Sequence, residues 1–169
     1  MTDATAYLST PLGLLKLQGS DMGVGAVQFV QPAAAALAAP PKTSATLVPR
    51  CLQDAYRQLQ AYFGRELREF DLAVAVAAGT DFQRRVWATL PSVSYGRTAS
   101  YLDLARQLGN PAAVRAVGAA NGQNPLTIIW PCHRIIGAGG QLTGYAGGLD
   151  RKRWLLEFEQ PAVQTNLFG

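Results

Sequence analysis

Sulfur and imidazole are scarce in this chain: two cysteines, Cys51 and Cys132, and one histidine, His133, in 169 residues. Two thiols cannot frame a disulfide-stapled fold, and Cys and His together cannot give a zinc ion four ligands. Such usage fits a reducing compartment, and a cytoplasmic protein is expected. Long apolar runs are missing too. Gly, Pro or a charged residue interrupts each one well before the ~18 residues that a membrane helix needs, so no membrane partner is expected. Met1–Thr10 has no basic residue ahead of its apolar positions and does not read as a secretory signal.

Acidic residues are almost absent from one long stretch. Residues 84–153 hold nine Lys or Arg against Asp103 and Asp150, a local charge of +7, whereas residues 1–83 carry −1 and residues 154–169 carry −2. A basic segment between near-neutral flanks suits a polyanion surface, nucleic acid being the commonest. A solvated basic face would have the same composition, and charge alone leaves both readings open. The 49% hydrophobic and 15% charged content suits one compact domain, or two small ones sharing a core.

Two halves are legible, residues 1–79 and 80–169. In the first, Gly13–Gln18 and Gly23–Val30 flank a Gly-Ser-Asp-Met turn and predict a β-hairpin. Residues 32–49, rich in Ala and Pro, have no period and read as an exposed connection. Leu52, Ala55, Tyr56, Leu59 and Phe63 recur at helical spacing, with Gly64 as the C′ residue, and Cys51 reads as packing. Phe70, Leu72 and Val74 alternate as a strand would. This half is expected to be a small α+β unit.

In the second half, Thr80 followed by Gln83 is a capping box, opening a helix with a Phe82, Val86, Leu90 stripe that Pro91 ends. Residues 94–101 form a turn into the next helix, where Tyr101, Leu104, Ala105 and Leu108 share a face and Gly109 closes it. Asn110 as N-cap and Pro111 at the first position predict another helix from Ala112 to about Asn121. Two short helices joined by a Gly-containing turn describe a helix-turn-helix. The second is slim, with Ala112, Ala113, Ala116, Ala119, Ala120 and Gly118, and Arg115 is its one charge. Close helix packing and a thin helix lying in a DNA groove both explain that pattern.

Residues 124–134, Asn-Pro-Leu-Thr-Ile-Ile-Trp-Pro-Cys-His-Arg, place the lone histidine directly after Cys132. A free thiol, with a pKa of ~8.5, is largely unreactive at neutral pH, and an imidazole that takes its proton makes it a nucleophile. A buried cysteine beside an unrelated histidine is the blander alternative. The surroundings decide between them. This stretch resembles the active-site signature of the O6-alkylguanine–DNA alkyltransferases. Phe82-Gln83, Val86-Trp87, Tyr95-Gly96, Ser100-Tyr101 and Leu104-Ala105 resemble that family's approach to its helix-turn-helix, and Arg115 to Gly118 its recognition helix. Gly144 to Leu149 resembles its substrate loop, and Trp154 to Glu159 its closing helix. The resemblance is close over residues 80–159 and general over 1–79.

The resemblance implies an α+β fold: a small N-terminal domain of antiparallel strands plus a helix, then a mainly helical alkyltransferase domain. It implies repair of duplex DNA carrying O6-alkylguanine, and also O4-alkylthymine, by irreversible transfer of the alkyl group to Cys132 after base flipping. His133 would act on the thiol through a water, Glu159 would orient His133, and Asn124 would tie the hinge before Cys132 to the helix-turn-helix. Tyr101 would press on the rotating phosphate and give N3 of the departing guanine a proton. Arg115 would fill the vacated base site, with Ala116 and Arg134 also against DNA. Tyr145, Ala146, Trp130, Ile135 and Lys152 would form the pocket. Trp130 stands where a smaller aliphatic is usual, and Ala146 where some members have a hydroxyl. The zinc ligands of some members are absent. No cofactor or metal is expected, and the protein is expected to be a monomer that can sit side by side with other copies on DNA.

Three rivals are weaker. Relatives that only flag alkylated bases lack the cysteine. A cysteine hydrolase would have no use for a helix-turn-helix. A sequence-specific regulator would carry several base-reading side chains on its recognition helix, where this one offers Arg115 alone.

Overall fold

A computed structural model describes residues 3–31 and 48–161. The connection expected over residues 32–49 therefore lies, apart from Val48 and Pro49, outside the described residues. The chain begins with an antiparallel sheet of β1 (Ala4–Thr10), β2 (Gly13–Ser20) and β3 (Gly23–Phe29) in that order. The β2–β3 hairpin matches the sequence reading. β1 is an addition, although its period of two was there to read: Ala6 and Leu8 are buried while Thr5 and Ser9 face solvent. Gly23 sits at φ +136°, and a Cβ there would lie 2.5 Å from the Ala73 carbonyl oxygen, so no larger residue fits.

Helix α1 (Gln53–Phe63), entered through a 3-10 turn at Arg50–Leu52, packs on β1 and buries Ala55, Tyr56, Leu59 and Tyr62. Leu15, Leu17, Leu52 and Leu59 are fully buried, each contributing roughly 1.5–3 kcal/mol. The buried stripe ends on Tyr62, not on the half-buried Phe63. The helix stop differs from expectation as well. Gly64 has φ −81°, and the left-handed residue is Arg65 at φ 59°. Arg65 N–H donates to Tyr62 O and Glu66 N–H to Ala61 O, which completes a Schellman cap. The Arg65 side chain offsets the backbone cost by donating to the Phe158 carbonyl at 3.0 Å and lying over the Phe158 ring.

Residues 70–74 do not form the expected strand. Only Val74 bridges to Val24, with Val24 N–H on Ala73 O and Ala75 N–H on Val24 O. The physical reason is competition for one edge. Further along β3, Val27 N–H donates to Pro125 O and Thr127 N–H to Val27 O, so the segment leading to Cys132 takes the rest of it.

Thr80 and Gln83 make the expected reciprocal box at the start of α2 (Asp81–Thr89), which passes through a 3-10 turn at Leu90–Ser92. Ser100 and Asp103 make a second box on α3 (Tyr101–Gln107), and Gly109 at φ +78° ends it. The helix after Gly109 starts later than expected. Pro111–Ala113 is a 3-10 turn, Asn110 makes no side-chain cap, and α4 runs Val114–Gly122. A short parallel pair, β4 (Ala99–Ser100) with β5 (Ile135–Ile136), joins the entry of α3 to the residues after Cys132. Helix α5 (Leu149–Glu159) closes the described chain. The α+β fold is as expected, and one continuous core draws residues from both halves. Among the described residues no helix is long and apolar enough to cross a membrane.

Candidate active site

The approach to Cys132 is a folded-back loop held by one side chain. Asn124 Nδ2 donates to Trp130 O at 2.7 Å, and its Oδ1 accepts from Leu126 N–H at 3.0 Å. Trp130 N–H then reaches Leu126 O, and Cys132 N–H reaches Trp130 O at 2.7 Å. The reversal puts buried Ile128 at φ 73°, a conformation that costs of order 1–3 kcal/mol for a non-glycine residue. The expected tie from Asn124 to the helix-turn-helix is made by a different side chain. Asn121, the buried polar residue of α4, donates from Nδ2 to Cys132 O at 3.3 Å. It was overlooked in the sequence, although it is the only amide on that helix's inward face.

Cys132, 4% exposed, begins a 3-10 turn that continues through His133 and Arg134. Burial pushes its thiol pKa up, against the Asn124 hydrogen bond and the positive charge of Lys152. His133 is fully buried, with Nε2 2.7 Å from Glu159 Oε1 and Nδ1 without a protein partner among the described residues. Burial holds its pKa below the ordinary value, with Glu159 opposing. Burial also disfavours the Glu159 carboxylate. The hydrogen bonds and charges of His133 and Arg134 outweigh that and hold it at about 2. An ionised carboxylate only accepts, so the imidazole N–H lies on Nε2 and Nδ1 keeps its lone pair.

Arg134 is not at a DNA surface. It is 6% exposed, donates to both Glu159 oxygens from Nε and Nη2 at 2.8 and 2.9 Å, and donates to Val93 O from Nη1. The expected DNA contact is thereby corrected: the guanidinium is consumed by an internal carboxylate. Glu159 Oε1 also accepts from the Tyr62 hydroxyl at 2.7 Å. Nothing in a helical stripe 97 residues away signals that bond.

The Tyr101 ring packs beside Gly118 of α4, and its hydroxyl donates to Thr143 O at 2.9 Å. Lys152, with no exposed surface, donates from Nζ to Ile135 O, to Thr143 O and, at 3.4 Å, to the Tyr101 hydroxyl. Burial pulls its pKa down to about 8, with Cys132 opposing. Tyr145 is buried, and burial together with the Cys132 charge raises its pKa well above the ordinary value. Tyr145 and Ala146 line an open groove whose other wall is the small-residue face of α4, including Ala116 and Ala119. Arg115 is exposed, as is Ala116.

Two expected pocket residues are elsewhere. Ile135 is a core residue that offers the site only its carbonyl. Trp130 stacks on Trp87, with centroids 5.9 Å apart, and lines a separate cavity with Tyr95 and Arg68. Its bulk is thus taken up by α2. Arg151 donates to Leu12 O and Gly147 O and lies over Phe29, fastening the 144–148 loop to the N-terminal sheet. Of the nine basic residues in the 84–153 stretch, Arg84, Arg85, Arg97, Arg106, Arg115 and Arg153 stay exposed.

Residues 81–161 match the family model described as the 6-O-methylguanine DNA methyltransferase, DNA binding domain. A methylated-DNA–protein-cysteine methyltransferase of Mycolicibacterium paratuberculosis is 48% identical over 153 residues, covering 90% of each chain. One from Methanosarcina acetivorans is 44% identical, over 91% of this chain and 96% of its own. The crystal structure of Mycobacterium tuberculosis OGT in complex with DNA superposes with a TM-score of 0.78 at 44% identity, covering 92% of each chain.

Proposed function

The chain belongs to the methylated-DNA–protein-cysteine methyltransferase family, and from that premise we propose that Cys132 is the acceptor and takes one alkyl group per molecule, permanently. The substrate is O6-alkylguanine in duplex DNA, with O4-alkylthymine as a second. The thiol proton passes toward His133 Nδ1 through a bridging water. The sulfur then attacks the alkyl carbon as the carbon–O6 bond breaks, its electron pair staying on guanine. Tyr101 supplies the proton that N3 of the leaving base needs and regains one, by way of water, from the imidazolium left on His133, so the net result is a thioether and neutral guanine. The observation that supports this most is the buried series Cys132, His133, Glu159, in which the imidazole is held by Nε2 and leaves Nδ1 as a base.

The alkyl carbon lies inside the duplex, so the base must rotate out at a cost of a few kcal/mol. We assign Arg115 to the vacated site, with the small outer face of α4, including Ala116, lying close to the backbone. Tyr145, Ala146 and Lys152 belong to the pocket. We read residues 1–79 as a separate domain bracing residues 80–169, and the protein as a cytoplasmic monomer that can bind DNA side by side with other copies. Radiolabelled methyl transferred from excess methylated duplex should plateau at about one per protein and be absent in Cys132→Ser. Continued turnover would contradict the proposal.

A further inference from the structure

We propose that Tyr62, from the N-terminal half, is a positioning residue of the transfer reaction: its hydroxyl occupies the carboxylate oxygen that faces His133 and limits how strongly that oxygen draws on the imidazole. The inference rests on the roles given above to Cys132, His133 and Glu159.

Glu159 Oε1 accepts from three donors, the Tyr62 hydroxyl, His133 Nε2 and Arg134 Nη2, at 2.7, 2.7 and 2.9 Å. An oxygen with about two lone pairs cannot serve three donors fully, so the phenol and the imidazole share one acceptor. A carboxylate less burdened would hold the imidazole N–H harder and favour the imidazolium, whereas a base that takes the thiol proton must rest neutral. Tyr62 is fully buried, and its ring is boxed by Phe63, Phe70, Tyr95 and Phe158 at 5.2 to 6.2 Å. Phenylalanine would fill that box equally well. The hydroxyl therefore serves something besides packing. Burial and then Glu159 push the phenol pKa up, so it stays a donor across the working pH range. The other ionisable groups acting on Tyr62, His133 or Glu159 are Arg134, Lys152, Tyr95 and Tyr145, with Arg65 and Arg68 behind Tyr95.

The test uses the full-length protein and free O6-benzylguanine, which needs neither DNA binding nor base rotation. Tyr62→Phe should move the acid limb of the pH–rate profile up by about one unit. Nitrogen resonances of the single histidine should shift toward imidazolium at a given pH, while DNA affinity stays unchanged. Placing 3-fluorotyrosine at position 62, a stronger donor of nearly the same size, should move the limb the other way, and decides the matter alone if Tyr62→Phe does not fold. A lower melting temperature with the limb and histidine signals unmoved would overturn the inference. Glu159→Gln separates the two levels. If it leaves rate and profile intact, the reading of the Cys132–His133–Glu159 series fails; if it abolishes transfer while the Tyr62 variants move nothing, only the role of Tyr62 fails.

Discussion

Asn121 Nδ2 lies 3.3 Å from the carbonyl oxygen of Cys132, so the helix that exposes Arg115 is hydrogen-bonded to the peptide that carries the thiol. The DNA contact proposed for Arg115 and the placement of the thiol thereby share one element. Asn121→Ala removes that side-chain donor while the Ile135 N–H still serves the carbonyl, and should cost about 0.5–1.5 kcal/mol in denaturant titrations. The single-turnover rate should fall with it. Unchanged stability and rate would mean the contact has no mechanical role.

Arg134 gives a prediction opposite to that for a phosphate contact. Arg134→Ala strands the Glu159 carboxylate in the interior and should cost about 3–5 kcal/mol of stability. The salt slope of DNA binding should not change, because no phosphate contact is lost. A slope reduced by about one unit at unchanged stability would restore Arg134 to the DNA surface.

Acid should destabilise the protein in two windows of the same sign. The folded Glu159 pKa, about 2, lies below its unfolded value near 4.5, so its contribution is present above about 4.5 and lost as pH falls toward 2. That contribution is at most about 3 kcal/mol. The His133 pKa is also depressed, so the unfolded chain binds that proton first and stability declines once pH drops below 6.5. Urea midpoints from about pH 7 to about pH 3 measure both, and Glu159→Gln should flatten the lower window. A wild-type profile flat across that range would contradict the assigned charge states.

Arg115 should separate base rotation from chemistry. Arg115→Ala should slow repair of duplex DNA strongly and reaction with free O6-benzylguanine little, since the free base needs no flipping. Equal losses on both substrates would show that Arg115 supports the fold of the site.

Local signals carried well from sequence to structure, and long-range ones did not. The Thr80–Gln83 box and the stop at Gly109 each rest on neighbours a few residues apart. Ser100 with Asp103 makes the same reciprocal box with Asp in place of the usual Glu or Gln. The strand expected at 70–74 had the right alternation but no free edge to join, since β3 gives the rest of its edge to residues 125–127. Arg65 takes the left-handed position that Gly64 suits better because its guanidinium finds the Phe158 ring and carbonyl. The places of Tyr62 and Arg134 are not legible in the sequence, for one reason. The partner of each is Glu159, and a stripe or a charge count does not say which buried carboxylate a side chain will meet.

The most direct test of the central claim is the mass of the intact protein after incubation with methylated duplex DNA, followed by peptide mapping. The account predicts a gain of one methylene unit per molecule, located on Cys132, absent in Cys132→Ala and unaffected by Cys51→Ser. A lesion that disappears while the protein mass stays unchanged, or a methyl group mapped to any other residue, would contradict it.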